Sequence, residues 1–140
     1  MEKRLKKVLV VDDDPTTLAI LGRSLENLGF APIVCTSPSV ALQIAQENGP
    51  WEIVVSDYQM PAMTGDVFLS ELRKLLPDSN HATIMTSGII SLPKISELLQ
   101  DGVDYFLPKP INLREFSEYI NRVTVSRQSE KASADNRATV

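Results

Sequence analysis

The chain has 140 residues, 43% of them hydrophobic, a net charge of -4 and a single cysteine, Cys35. That length supports one hydrophobic core and one domain, and the acidic balance excludes a broad basic surface for nucleic acid. One thiol makes no internal disulfide, no run of about 18 apolar residues is present to cross a bilayer, and the basic start MEKRLKK lacks the apolar stretch of a signal peptide. The expectation is a soluble, cytoplasmic protein that binds neither nucleic acid nor membrane.

Taken in order, Val8 to Val11 is an apolar run too short for a helix, and it predicts a strand buried on both faces. It ends in Asp12, Asp13 and Asp14. Asp14 is placed to cap a helix with Pro15 in its first turn, and Leu18, Leu21, Leu25 and Leu28 form its apolar face. Gly29 closes it. A second strand spans Ala31 to Cys35, and Ser37-Pro38 opens a helix through about Glu47, stopped by Asn48-Gly49-Pro50. Ile53 to Asp57 is the third strand, β-branched and delivering its last side chain to an edge. Its helix runs from about Asp66 to Leu76. Ala82 to Thr86 is the fourth strand, after a polar loop where His81 is expected to be solvated. Helix four starts at Ser91 or Leu92 and ends at Asp101-Gly102; strand five is Val103 to Leu107. Asn112 caps a last helix with Leu113, Phe116, Ile120 and Val123 on one face. From about Ser126 to Val140 large apolar residues nearly vanish, which predicts a disordered tail or linker after a domain of residues 1–125.

Mostly apolar strands alternating with helices imply an α/β, doubly wound parallel sheet of five strands with five helices in three layers. In that architecture the C-terminal strand ends share one edge. The ends carry Asp12 and Asp13, Asp57, Thr86 and Lys109, whereas the opposite ends, Lys7, Pro32, Trp51, His81 and Val103, form no coherent set. Carboxylates about 5 Å apart repel by roughly 3 kcal/mol per pair at an effective dielectric near 20, so Asp12, Asp13 and Asp57 together call for a cation. Hard oxygen donors fit Mg²⁺, while zinc does not suit one Cys and one His. Lys109 and the Thr86 hydroxyl suit an anion beside it. Asp57, on the central strand, is the candidate nucleophile, since carboxylates form acyl phosphates.

The segments VLVVDDDP, VVSDYQMPAMTG, IMTSG and DYFLPKPI resemble, in order and spacing from about Lys6 to Val123, the receiver (phosphoacceptor) domain of two-component response regulators. The resemblance implies a flavodoxin-like sheet of order 2-1-3-4-5 and a signalling domain that catalyses only its own phosphorylation and dephosphorylation. It implies that Asp57 accepts a phosphoryl group from a histidine kinase or histidine phosphotransfer protein. Mg²⁺ is then held by Asp13 directly, Asp12 mostly through water, Asp57, and the backbone carbonyl of Gln59. Thr86 and Lys109 hold the phosphoryl oxygens, Phe106 occupies the aromatic switch position, and the bond before Pro110 is cis.

Departures are mild: Ser87 replaces the more usual Ala, and Phe106 lacks the phenol of the commoner Tyr. Two other functions suit the same fold. A Mg²⁺-dependent phosphohydrolase would want an acid two residues after the nucleophile, where this chain has Gln59, and a flavin site would want a Gly/Ser/Thr-rich loop where it has DDDP. Output is carried, by family analogy, on the surface of helix four, strand five and helix five, including Lys94, Glu97, Asp101, Arg114, Glu118 and Arg122. A downstream protein partner, a fused effector and a phosphorylation-dependent homodimer are all compatible with it.

Overall fold

The computed structural model describes residues 4–138 apart from residue 89, with side chains as far as Arg127. Strands β1 (Lys7–Val11), β2 (Ala31–Cys35), β3 (Ile53–Asp57), β4 (Ala82–Ser87) and β5 (Tyr105–Pro108) alternate with helices α1 (Pro15–Asn27), α2 (Pro38–Asn48), α3 (Gly65–Leu75), α4 (Leu92–Gln100) and α5 (Leu113–Ala138). All pairings are parallel and the order is β2-β1-β3-β4-β5, as the resemblance implies.

Strand alternation sends successive residues to opposite faces, and the two halves of the core follow it. Val8, Val10, Ile53, Val55, Ile84 and Leu107 meet Leu18, Leu21 and Leu25 of α1 and Phe116, Ile120 and Val123 of α5. On the other face, Leu9, Val11, Val54 and Met85 meet Ala41 and Ala45 of α2, Phe68, Leu69 and Leu72 of α3, and Leu98 of α4. Each fully buried Leu or Phe contributes roughly 1.5–3 kcal/mol, against a few tenths for helix propensity, so these stripes rather than local preference hold the helices down. Met60 and Met63 join the second cluster, as loop packing.

The helix starts are made by the side chains that the sequence marks. The Asp14 carboxylate accepts from the Thr16 amide at 3.1 Å and the Thr17 hydroxyl at 2.8 Å. Ser37, Ser91 and Asn112 accept from the amides of Val40, Lys94 and Glu115. Each satisfies an amide that the first helical turn leaves without a partner.

Several features differ from the sequence reading. Strand β5 starts at Tyr105 rather than Val103, because the Asp104 carboxylate takes the Thr83 amide at 2.8 Å while the Thr83 hydroxyl donates to the Gly102 carbonyl at 3.0 Å. Removing that acceptor in Asp104→Ala should cost about 1.5 kcal/mol, the scale of a charge-assisted hydrogen bond. A urea midpoint equal to wild type would show that the Thr83 amide does not depend on it. His81 is partly buried, not solvated: its Nδ1 lies 2.7 Å from the Ser79 hydroxyl, and burial lowers its pKa. Trp51 is buried at the far end of the sheet and donates to the Ala45 carbonyl at 3.0 Å. Helix α5 continues to Ala138, so the backbone of 126–138 is helical where composition predicts disorder. Past Arg127 three alanines, with Glu130, Lys131 and Arg137, favour a helix without burial, although Ser, Asp and Asn stand among them. The peptide bond before Pro50 is cis, which the sequence reading did not contain, whereas the cis bond before Pro110 is the isomer that the resemblance implies.

Candidate functional site

The parallel register sets the site. Pairing of Val11 with Ser56, of Asp57 with Thr86 and of Ser87 with Pro108 brings four strand ends to one level. Just past β1, Asp12 is fixed from two sides: its Oδ1 accepts the Asp14 amide at 2.9 Å and its own amide donates to the Cys35 carbonyl at 3.2 Å. Asp12 and Asp57 are buried and Asp13 is exposed. One carboxylate oxygen of each lies within 4.8 Å of the others. Lys109 Nζ divides itself between Asp12 Oδ2 at 3.0 Å and Asp57 Oδ1 at 3.3 Å. Its backbone amide donates a hydrogen bond to the Ser87 carbonyl at 2.8 Å.

Three carboxylates facing one ammonium leave an excess of negative charge, with Asp12 and Asp57 buried beneath an exposed Asp13. Burial, then the charge of Asp12, pushes the Asp57 carboxyl up to about 6, against the opposing pull of Lys109. Burial works against the Lys109 ammonium too, but hydrogen bonding and charge from Asp12, then Asp57, outweigh it and raise its pKa. A small hard dication fits this donor set: oxygen ligands only, one of them exposed and open to water. Thr86 Oγ1 is buried and has no hydrogen-bond partner among the described residues, so the site also holds an idle hydroxyl.

The loop after Asp57 is tightly closed. Tyr58 donates its amide to the Thr86 carbonyl at 2.8 Å, and the Gly65 amide donates to the Tyr58 carbonyl at 2.7 Å. A side chain at position 65 would collide with the Asp57 carbonyl oxygen and the Met85 sulfur, which explains the glycine. Gln59 is exposed in this loop. Phe106 packs on the α4 side of the sheet, whereas Tyr105 lies on the α5 side, stacked on Tyr119 at 4.6 Å.

A family model for the response regulator receiver domain matches residues 8–121. The chain belongs to that family. This receiver domain is 32% identical over 134 residues to the transcriptional regulatory protein PrrA of Mycobacterium tuberculosis, a match covering 96% of the chain and 56% of that protein. It is 27% identical over 135 residues to histidine kinase P4 of Formosa agariphila, covering 96% of the chain but 10% of the kinase. It therefore spans between a tenth and just over half the length of these curated relatives. The crystal structure of a CheY-like receiver domain protein from Methanospirillum hungatei superimposes with a TM-score of 0.80 at 29% identity, covering 91% of this chain and 99% of that one. The family places the receiver domain in two-component phosphorelay signalling. Among the described residues, no helix is long and apolar enough to cross a membrane.

The predicted site residues Asp12, Asp13, Asp57, Thr86 and Lys109 thus meet at one edge. Of the residues expected on the output surface, Lys94 turns towards α3 instead, 3.5 Å from Asp66, while Arg114 and Glu118 form an exposed pair 3.7 Å apart. Such exposed pairs add little stability. Two features of the site were not anticipated: the division of Lys109 between two carboxylates, and the close approach at Gly65. Only the second left a trace in the sequence, a glycine at a fixed distance from Asp57.

Proposed function

We propose that this receiver domain acts in the cytoplasm and takes a phosphoryl group from a histidine kinase or histidine phosphotransfer protein onto Asp57, with Mg²⁺. The observation that carries the reading is the convergence of three carboxylates, a lysine and an idle buried hydroxyl on one strand edge. An Asp57 carboxylate oxygen attacks phosphorus, the bond from phosphorus to the donor imidazole nitrogen breaks, and the ring, already protonated on its other nitrogen, leaves as neutral imidazole while an acyl phosphate forms. Asp12, Asp13, Asp57 and the Gln59 carbonyl are the residues that would hold the metal. Mg²⁺ supplies positive charge to the phosphoryl oxygens during transfer. Lys109 exchanges its contact with Asp57 for a phosphoryl oxygen, and the Thr86 hydroxyl turns to donate to another.

Both movements alter contacts next to β5 and the start of α4, so the switch is read on the surface of α4, β5 and α5, with Phe106 as its aromatic element. The partner is a downstream protein, a fused effector or a second phosphorylated copy, with residues 126–140 serving as linker. Incubating the full chain with acetyl phosphate and Mg²⁺ should add about 80 Da, and Asp57→Asn should add nothing. A wild-type mass that never changes, or an adduct retained in the variant, would remove Asp57 from this role.

A further inference from the structure

Helix α4 is weakly mounted. Leu98 is its one buried residue among those described, whereas α1 and α3 each bury four. Leu92 and Leu99 are exposed, and a cavity of about 460 Å³ lies between α3 and α4, lined in part by Leu69, Arg73, Leu98 and Val103. Polar straps replace apolar contact. At the C-terminal end, Arg73 Nη1 donates to the Asp101 carbonyl at 2.7 Å.

At the N-terminal end the strap is Lys94. Its Nζ lies 3.5 Å from Asp66 Oδ2 and 5.8 Å from the centre of the Tyr58 ring, and Glu97 steadies it from within α4 at 3.5 Å. The side chains of Lys94 and Asp66 are 28% and 32% exposed, so this is not a free surface pair. Tyr58 and Asp66 bracket the loop that follows Asp57, which the hydrogen bond from the Gly65 amide to the Tyr58 carbonyl closes. Lys94 therefore grips both ends of the loop carrying Gln59. It sits three residues beyond Ser91, the cap of α4, the helix that follows β4 with Thr86 and Ser87 at its end.

We infer that Lys94 is a positioning residue: it clasps α4 to the phosphoacceptor loop and holds the helix in the arrangement that keeps the Thr86 hydroxyl idle. The inference deepens the proposed function and rests on it for its phosphoryl step. Thr86 lies near the end of β4, and the clasp near the start of α4 resists the shift between the two elements that turning Thr86 towards a phosphoryl oxygen requires. Weakening the clasp shifts the population towards the accepting arrangement, so phosphorylation speeds up. Neither Lys94 nor Asp66 touches the reacting atoms, and the effect passes through α4 and the loop.

The test compares the wild-type chain of 140 residues with Lys94→Met, Lys94→Arg and Asp66→Asn. Hydrogen exchange of residues 92–100 without phosphodonor should run about fivefold faster in Lys94→Met and Asp66→Asn, with the rest of the sheet unchanged. Their rate of adduct formation with acetyl phosphate and Mg²⁺ should rise about threefold. Lys94→Arg, which keeps both the carboxylate pairing and the stacking on Tyr58, should restore wild-type values. Wild-type exchange in Lys94→Met overturns the clasp, as does faster exchange with an unchanged or slower adduct rate. A wild type that forms no adduct overturns the phosphoacceptor reading instead, while the exchange comparison still decides whether Lys94 holds α4.

Discussion

Asp57→Asn should make the metal-free protein more stable at about pH 7.5, although Asp57 is the centre of its site. The Asp57 carboxyl is raised from 3.8 to about 6, first by burial and then by the charge of Asp12. A raised folded-state value means that the folded chain holds the proton more tightly than the unfolded chain does. The resulting stability is complete below the unfolded value near 3.8 and is lost as pH rises through about 6. At neutral pH the ionised carboxylate is therefore a cost, roughly 3 kcal/mol at about 1.36 kcal/mol per pKa unit. Asparagine removes the charge and keeps the shape, and Lys109 retains its 3.0 Å contact to Asp12. Allowing for the lost attraction to Lys109, a gain of about 2 kcal/mol and a melting temperature higher by about 5 °C are expected. Thermal melts by circular dichroism check this across pH, and the gap should shrink to a small fraction by about pH 4, where wild-type Asp57 is protonated. Mg²⁺ should narrow it as well at neutral pH, since an ion that binds the folded wild type stabilises it selectively. Equal melting temperatures at every pH would mean that the ionised carboxylate is not strained.

Gly65→Ala is expected to be costly in the other direction. The added Cβ would lie 2.6 Å from the Met85 sulfur and closer still to the Asp57 carbonyl oxygen. Met85 is buried but flexible and can swing aside; the Asp57 carbonyl belongs to the central strand and cannot move without displacing the carboxylate beside it. Overpacking against backbone costs about 3 kcal/mol, enough to lower the melting temperature by about 10 °C. The same shift disturbs the spacing of Asp12, Asp13 and Asp57, so adduct formation with acetyl phosphate should fall along with stability. A urea midpoint within error of wild type would show that α3 absorbs the methyl group by moving outward.

The sequence made the framework legible where its signals were redundant. Val8 to Val11 and Ile53 to Val55 are apolar on both faces, Asp14, Ser37, Ser91 and Asn112 precede helical spacing, and strand ends in such a sheet must share an edge. What escaped depends on side chains meeting across the fold. The β5 boundary is set by Asp104 reaching Thr83, and the part-buried state of His81 by Ser79 and the packing above it. Lys94 reads as a surface cation on any helical projection, and only the path of the β3 to α3 loop reveals its grip on Tyr58 and Asp66. At the site, the residue types and their strand ends were legible, but the sharing of Lys109 and the isolation of the Thr86 hydroxyl are properties of geometry alone.

The length of α5 adds a mechanical aspect. Within the domain the helix is seated by Phe116, Ile120 and Val123, and at the sheet's far end Arg127 Nε meets Glu52 Oε1 at 3.0 Å, both side chains being about four-fifths covered. Glu52 directly precedes β3, the strand that delivers Asp57, and its amide donates to the Lys7 carbonyl. Beyond Arg127 the helix continues to Ala138, an overhang of about 16 Å at ~1.5 Å per residue. Arg127 is then a fulcrum between arms of equal length, since Phe116 lies as many residues before it as Ala138 lies beyond it: tilting α5 by about 10° sweeps both ends through about 3 Å, so a stroke of the overhang is tied to a repacking of the core under Phe116.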